Sequence, residues 1–206
     1  MSVLLIGMII ISNCIFVYAN VLDDDIIQPK SGGSKKLSVS LIMQKEKSWC
    51  GPACGEMVLR YFNKNISQTT LANENNMGTD IIDGQGGTYV YKVSETLNKY
   101  LGSGTYSYKG LWDTSFYQEV IRSIDNGKPV ICQVNTRELP HYNNVARDHY
   151  VVVCGYNWGQ GSGGGINNVT FNDPNYEPEY YGQYICRADE MIDAIRAKAS
   201  YYISLS

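Results

Sequence analysis

A single thiol, a single imidazole and a nearby amide stand out in this chain as parts that could do chemistry together. Cys50 sits in Trp49-Cys50-Gly51-Pro52-Ala53-Cys54, and Gln44 lies six residues before it. His149 opens the run His149-Tyr150-Val151-Val152-Val153, about a hundred residues later. A thiol becomes a strong nucleophile only as the thiolate, which helix N-termini and neighbouring imidazolium groups favour. Gly51-Pro52 opens a helix directly behind Cys50, because proline is at home in a first turn. His149 could supply the imidazolium and then protonate a leaving amine. The backbone N–H of Cys50 and the side-chain amide of Gln44 are the candidate donors to a developing oxyanion. The imidazole also needs an orienting group. Asn172 and Asp173 both follow the third strand; adjacent strand residues point to opposite faces, so only one of them can reach it. Spacing alone does not choose between them.

Other residues are weaker candidates. The chain has only two histidines, and His141, between Pro140 and Tyr142 in a polar stretch, reads as a surface residue. Cys50 and Cys54 with two distant histidines lack the usual ligand spacing of a zinc site, so no metal and no cofactor is expected. Cys132 and Cys154 fall in apolar strand patterns and Cys54 on a helix face; with Cys186 they read as structural thiols. An oxidising compartment would permit them to pair, in any of three connectivities.

The elements that must hold these groups can be read from periodicity. Ala53, Cys54, Met57, Val58 and Tyr61 recur at helical spacing and place a helix over Cys50–Phe62. A short helix is expected at Thr70–Asn75. Val90, Val93, Leu97 and Leu101 outline another that ends near Gly102. Phe116 to Ile124 outline a third, closed by Asn126-Gly127. Thereafter strands dominate: Pro129–Val134, Tyr150–Tyr156, Val169–Phe171 and Tyr201–Leu205, with one short helix around Met191–Ile195. Gly84–Gly87 and the glycine-rich Gly159–Gly165 read as turns. Helices first and strands later make an α+β fold rather than a doubly wound sheet.

The 206 residues suffice for one domain with a real core. Apolar content of 44% against 18% charged argues for a globular chain, and a net charge of −3 without basic runs argues against nucleic acid as a partner. Residues 1–19 carry no charged side chain, and Val17-Tyr18-Ala19 precede a plausible cleavage point at Asn20, the pattern of a signal peptide. A secreted or periplasmic protein is therefore expected, off the membrane once the signal is cleaved. Residues 20–36, with Asp23-Asp24-Asp25 and Ser31-Gly32-Gly33-Ser34, read as a linker or short pro-segment. Residues 37–206 form the domain.

The ordered set Gln44, Cys50-Gly51-Pro52-Ala53, His149-Tyr150-Val151-Val152 and Asp173-Pro174 resembles the bacteriocin-processing peptidases among the papain-like cysteine peptidases. The resemblance covers roughly residues 40–175. It implies a papain-like fold, with an N-terminal helical half and a C-terminal antiparallel β half meeting at a cleft. It also implies Cys50 as nucleophile, His149 as base and then acid, Asp173 as orienter and Gln44 at the oxyanion, acting on a peptide or protein. Asp148 stands where that family usually has glycine, and would raise the proton affinity of His149 if it faced the ring. The family cuts after paired glycines, so Ser31-Gly32-Gly33-Ser34 is an expected self-processing point. Deamidation or transpeptidation by the same groups, or a silent module that keeps only the cleft, are the rival readings.

Overall fold

The computed structural model describes residues 33–79, 86–111, 115–159 and 165–206. The signal-peptide reading of residues 1–19 and most of the linker reading lie outside them, as do Gly84 and Gln85 and the centre of the glycine-rich turn.

Helix α1 (Cys50–Tyr61) is the spine of the molecule. Every residue from Cys50 to Leu59 is buried, Glu56 included. A helix apolar on one face only would not be so enclosed; this one has neighbours on all sides. Glu56 tolerates burial because Arg60, one turn on, reaches it at 2.8 Å. Two helices pack against α1: the short α2 (Gln68–Ala72) and α3 (Val90–Leu101). The short helix begins two residues earlier than its sequence pattern suggests, since the Ser67 side chain accepts from Thr70 N–H and caps it. Helix α4 (Phe116–Asp125) ends as expected, with Gly127 in the left-handed region at φ +71°.

The strands are β1 (Ser34–Lys36), β2 (Tyr106–Gly110), β3 (Val130–Asn135), β4 (Asp148–Gly159), β5 (Gly165–Asp173), β6 (Gly182–Arg187) and β7 (Tyr201–Leu205). They form one antiparallel sheet in the order β2-β7-β3-β4-β5-β6. Strand β4 is long enough to hold two partners on one side. Its first half pairs with β3, and Gly155–Asn157 pair with β1. The chain is thus already in the sheet at Ser34, three residues inside the stretch read from sequence as linker. Gly155 makes that pairing possible: a Cβ there would stand 2.8 Å from the Lys35 carbonyl oxygen. Helix α5 (Ala188–Lys198) packs on β3. All five cysteines among the described residues are buried and free. Among those residues no helix is long and apolar enough to cross a membrane.

Candidate active site

The first residue of α1 is Cys50, so its N–H has no acceptor within the helix and points out of the helix start. Facing it is His149, the second residue of β4, buried to 6% exposure. The register of β4 against β3 sets Val134 opposite His149 and Asn135 opposite Asp148. Alternation along the strand then turns His149 inward and Asp148 outward. Asp148 pairs with Lys198 at the end of α5 and stays exposed. The pleat of β4 turns it away from the ring, so the condition under which it would tune His149 is not met.

Asp173, the last residue of β5, is fully buried. Its Oδ1 lies 2.8 Å from His149 Nε2. Cys50 lies near enough to the imidazole to favour its charged form. Strand alternation also settles the choice between neighbours. Asn172 points the other way, donating to the Val39 carbonyl at 3.0 Å and accepting from Gln183 at 2.8 Å.

Asp173 is held by more than His149. Asn175 N–H donates to Oδ1 at 2.9 Å, a local turn that fixes the carboxylate on its own backbone. Tyr142 O–H donates to Oδ2 at 3.0 Å and itself accepts from Asn175 Nδ2 at 2.7 Å. His141 Nε2 lies 3.1 Å from the same Oδ2. The sequence reading of His141 as a surface residue is therefore wrong: its ring stacks on Tyr184, with centroids 3.8 Å apart, and the side chain is only 12% exposed.

The electrostatics follow from these contacts. Burial alone pushes the Asp173 carboxyl up, but the charge on His149 and the hydrogen bonds from His141, His149 and Asn175 hold it well below the usual carboxylate range. Burial pushes the His149 imidazole down, but the charge and hydrogen bond of Asp173, with a smaller contribution from Cys50, carry it up to about 10. The remaining thiols behave differently. Burial pushes Cys54 and Cys132 well above an ordinary thiol, and raises Cys154 to about 11 and Cys186 to about 12.

Gln44 reaches the site, but its amide is turned into its own loop. Nε2 donates to the carbonyls of Glu46 and Lys47, both at 2.9 Å, while the buried Oε1 has no hydrogen-bond partner. The loop itself is pinned twice. Gln44 N–H donates to the Pro174 carbonyl at 2.7 Å, which joins it to the Asp173 turn. Gln68, fully buried at the start of α2, brackets it: its amide accepts from Lys45 N–H and donates to the Met43 carbonyl, each at 2.9 Å. No sequence signal marked Gln68, whose neighbours look like an ordinary polar helix start.

The thiol and imidazole lie in a cleft. One side is a hollow of about 380 Å³ lined by Cys50, Gly86–Val90, Gln133, His149 and Tyr201. Gly51 fits beneath Thr88 because it has no side chain: a Cβ there would be 2.6 Å from Thr88 Oγ1. The other side is a second hollow of about 380 Å³ around Gln44, Lys47, Arg147, His149, Asn175 and Glu177. Both hollows reach His149, and Cys50 lines the first of them. Among the described residues no group of three or more His, Cys, Asp or Glu side chains is placed to hold a metal ion.

The model of the Peptidase_C39 like family matches residues 36–195. The crystal structure of a C39-like peptidase from Bacillus anthracis superposes with a TM-score of 0.61 at 20% identity, over 84% of this chain and 97% of that one. The peptidase domain of Streptococcus ComA, a bifunctional ABC transporter involved in a quorum sensing pathway, gives 0.49 at 18% identity, over 82% and 98%. A double-glycine-motif protease from an AMS/PCAT transporter, in complex with its leader peptide, gives 0.48 at 20% identity, over 87% and 99%. Among curated proteins none matches the chain. The Bacillus likeness shows the fold to be that of the C39, papain-like peptidases, as the resemblance read from sequence implied.

Proposed function

The chain belongs to the Peptidase_C39 like family of cysteine peptidases, and from that premise we propose that it hydrolyses peptide bonds with Cys50 as nucleophile, His149 as base and acid, and Asp173 as the group that orients His149. The observation that carries this reading is the continuous line from the helix start to the sheet. Cys50 meets one side of the His149 ring, and Asp173 Oδ1 meets Nε2 at 2.8 Å.

In this reading Cys50 Sγ attacks the scissile carbonyl carbon and the carbonyl π electrons move to oxygen. The Cys50 N–H stabilises that oxyanion. Gln44 joins it only by giving up one of its two carbonyl partners, so its contribution comes with a small loop rearrangement. Collapse of the intermediate breaks the C–N bond, and His149 gives its proton to the leaving amine. Water then attacks the thioester, His149 takes its proton, and the acid and the thiol are released. Throughout, Asp173 keeps Nε2 engaged and the ring in line.

Substrate lies in the cleft as an extended peptide between the two hollows. Residues 1–19 support a secreted or periplasmic location by their signal-peptide pattern, which N-terminal sequencing of the exported protein tests.

The catalytic assignment is tested with iodoacetamide near neutral pH, followed by peptide mapping. Labelling concentrates on Cys50 and is lost in His149→Ala, while Cys54, Cys132, Cys154 and Cys186 remain protected by burial. Equal labelling of all five thiols would overturn the assignment. Incubating a cleaved peptide with a competing amine then shows whether water or amine resolves the thioester.

A further inference from the structure

Asp173 serves two histidines, one on each oxygen. His149 Nε2 lies on Oδ1 at 2.8 Å and His141 Nε2 on Oδ2 at 3.1 Å. We propose that His141 is a positioning residue that tempers the hold of Asp173 on His149. This rests on His149 being the base and acid of the proposed reaction.

Several observations carry it. His141 is not loosely placed. Its ring is stacked on Tyr184 of β6 at 3.8 Å, tilted against Phe171 of β5 at 5.6 Å, and beside Tyr142 of its own turn at 4.5 Å. Among the described residues, the titratable groups seen in contact with it are Asp173, Tyr184 and Tyr142. With Tyr142 O–H and Asn175 N–H, the carboxylate accepts four hydrogen bonds. The donors are divided two to each oxygen, so the carboxylate plane is fixed and neither oxygen is idle.

The chemical consequence concerns His149 as an acid. A carboxylate whose charge is concentrated on one imidazolium binds that proton tightly, and a tightly held proton is slow to pass to a leaving amine. A donor on the second oxygen draws charge away from the first. His141 therefore makes Asp173 a weaker partner for His149 and His149 a better acid. A buried aromatic alone would shield the site from water; only a donor at Oδ2 does this.

Two measurements test it. The first uses the wild-type chain, whose two histidines give only two imidazole systems. In ¹⁵N-histidine-labelled protein near neutral pH, His141 Nε2 is expected to carry a proton. A neutral ring protonated on Nδ1 alone would overturn the proposal, because such a ring cannot donate to Asp173. The second compares pH profiles of kcat/KM. His141→Phe keeps the stacked ring and removes one of the two donors on Oδ2, leaving Tyr142 O–H. It is expected to lower kcat without changing KM and to move the alkaline limb up by roughly one pH unit. His141→Gln, which offers an amide donor, is expected to return the limb towards wild type. A folded His141→Phe enzyme with an unmoved limb, or a His141→Gln enzyme indistinguishable from it, would overturn the proposal. If His141→Phe does not fold, the wild-type tautomer decides. If Cys50 is not the nucleophile, the labelling test fails on its own while the tautomer measurement still reports the His141 bond.

Discussion

Replacing Asp173 by Asn removes one charge and almost no volume, and its effect can be worked out from the contacts. The amide oxygen can take the Oδ1 place and accept from His149 Nε2 and Asn175 N–H. The amide nitrogen then faces Tyr142 O–H and His141 Nε2, and both can accept if the tyrosine hydroxyl rotates and His141 changes tautomer. The variant is therefore expected to fold, losing roughly 1–3 kcal/mol as charge-assisted bonds become neutral ones. The functional loss is larger. Burial pulls His149 down from an ordinary 6.5, and Asp173 is what overcomes this and carries it up to about 10. Without Asp173 the imidazole falls to 6.5 or lower, and at pH 8 a group titrating at 6.5 is protonated in only about 3% of molecules. The alkaline limb of kcat/KM should move down by several pH units, with an activity loss of at least about 30-fold at pH 8 and much less near pH 6. Stability gives a reading that needs no substrate. Because the folded-state value of His149 is raised, its contribution is full below 6.5 and is lost as pH rises from 6.5 through about 10. The depressed Asp173 carboxyl contributes above its ordinary value near 3.8 and loses that contribution as pH falls through its folded value. Denaturant titrations across pH should show both slopes in the wild type and neither in Asp173→Asn. An Asp173→Asn enzyme that keeps its alkaline limb and its pH slope would refute the reasoning.

Two further perturbations address residues that touch no substrate. Gln68→Ala strands Lys45 N–H and the Met43 carbonyl, so we expect a loss of roughly 2–4 kcal/mol by denaturant titration, and a fall in kcat with Cys50 labelling retained. Gly51→Ala drives a methyl group into Thr88, which cannot retreat: its hydroxyl is 2.8 Å from Thr79 Oγ1, and its carbonyl accepts from Tyr150 at 2.8 Å. A cost of about 1–3 kcal/mol and a raised KM are expected, partly recovered by adding Thr88→Ala; an unchanged KM would show that the Gly86–Val90 segment does not bind substrate.

What could be read from the chain and what could not divides along physical lines. Helices α3 and α4 each bury a periodic face, and α1, though enclosed all round, carries helix-spaced apolar residues, so their periodicity was visible; β7 was visible as a short apolar run. Strands β2 and β6 were not. Tyr106–Gly110 and Gly182–Arg187 pair at the two ends of the sheet, where mostly polar side chains face solvent and little apolar alternation is required. That Cys50 and His149 come together was legible because each has a local signature, a Gly-Pro helix start and a valine-rich strand; the residues alone left Asn172 and Asp173 open, and only the resemblance pointed to Asp173. The orientation of the Gln44 amide was not legible, since it depends on carbonyls that the folded loop brings round. His141 was illegible for a different reason. Its immediate neighbours look like a surface loop, and it is covered by Phe171 and Tyr184, 30 and 43 residues further on. The available hints were the scarcity of histidine and the tyrosines around it.

Strand β1 has a consequence for how this enzyme would treat its own N-terminal segment. The bond after Gly33 begins a strand whose first residue, Ser34, pairs with Asn157, and the Gly33 carbonyl accepts from Trp158 N–H. Asn157 is eight residues beyond His149 on the same strand, a separation of about 26 Å at ordinary strand rise. Gly33 of a folded molecule therefore cannot lie over its own Cys50 unless β1 is first stripped from the sheet. Removal of that segment without first unpairing β1 would be a reaction between two molecules. Its rate would grow with the square of concentration, so a dilute population would keep the segment and a crowded one would shed it.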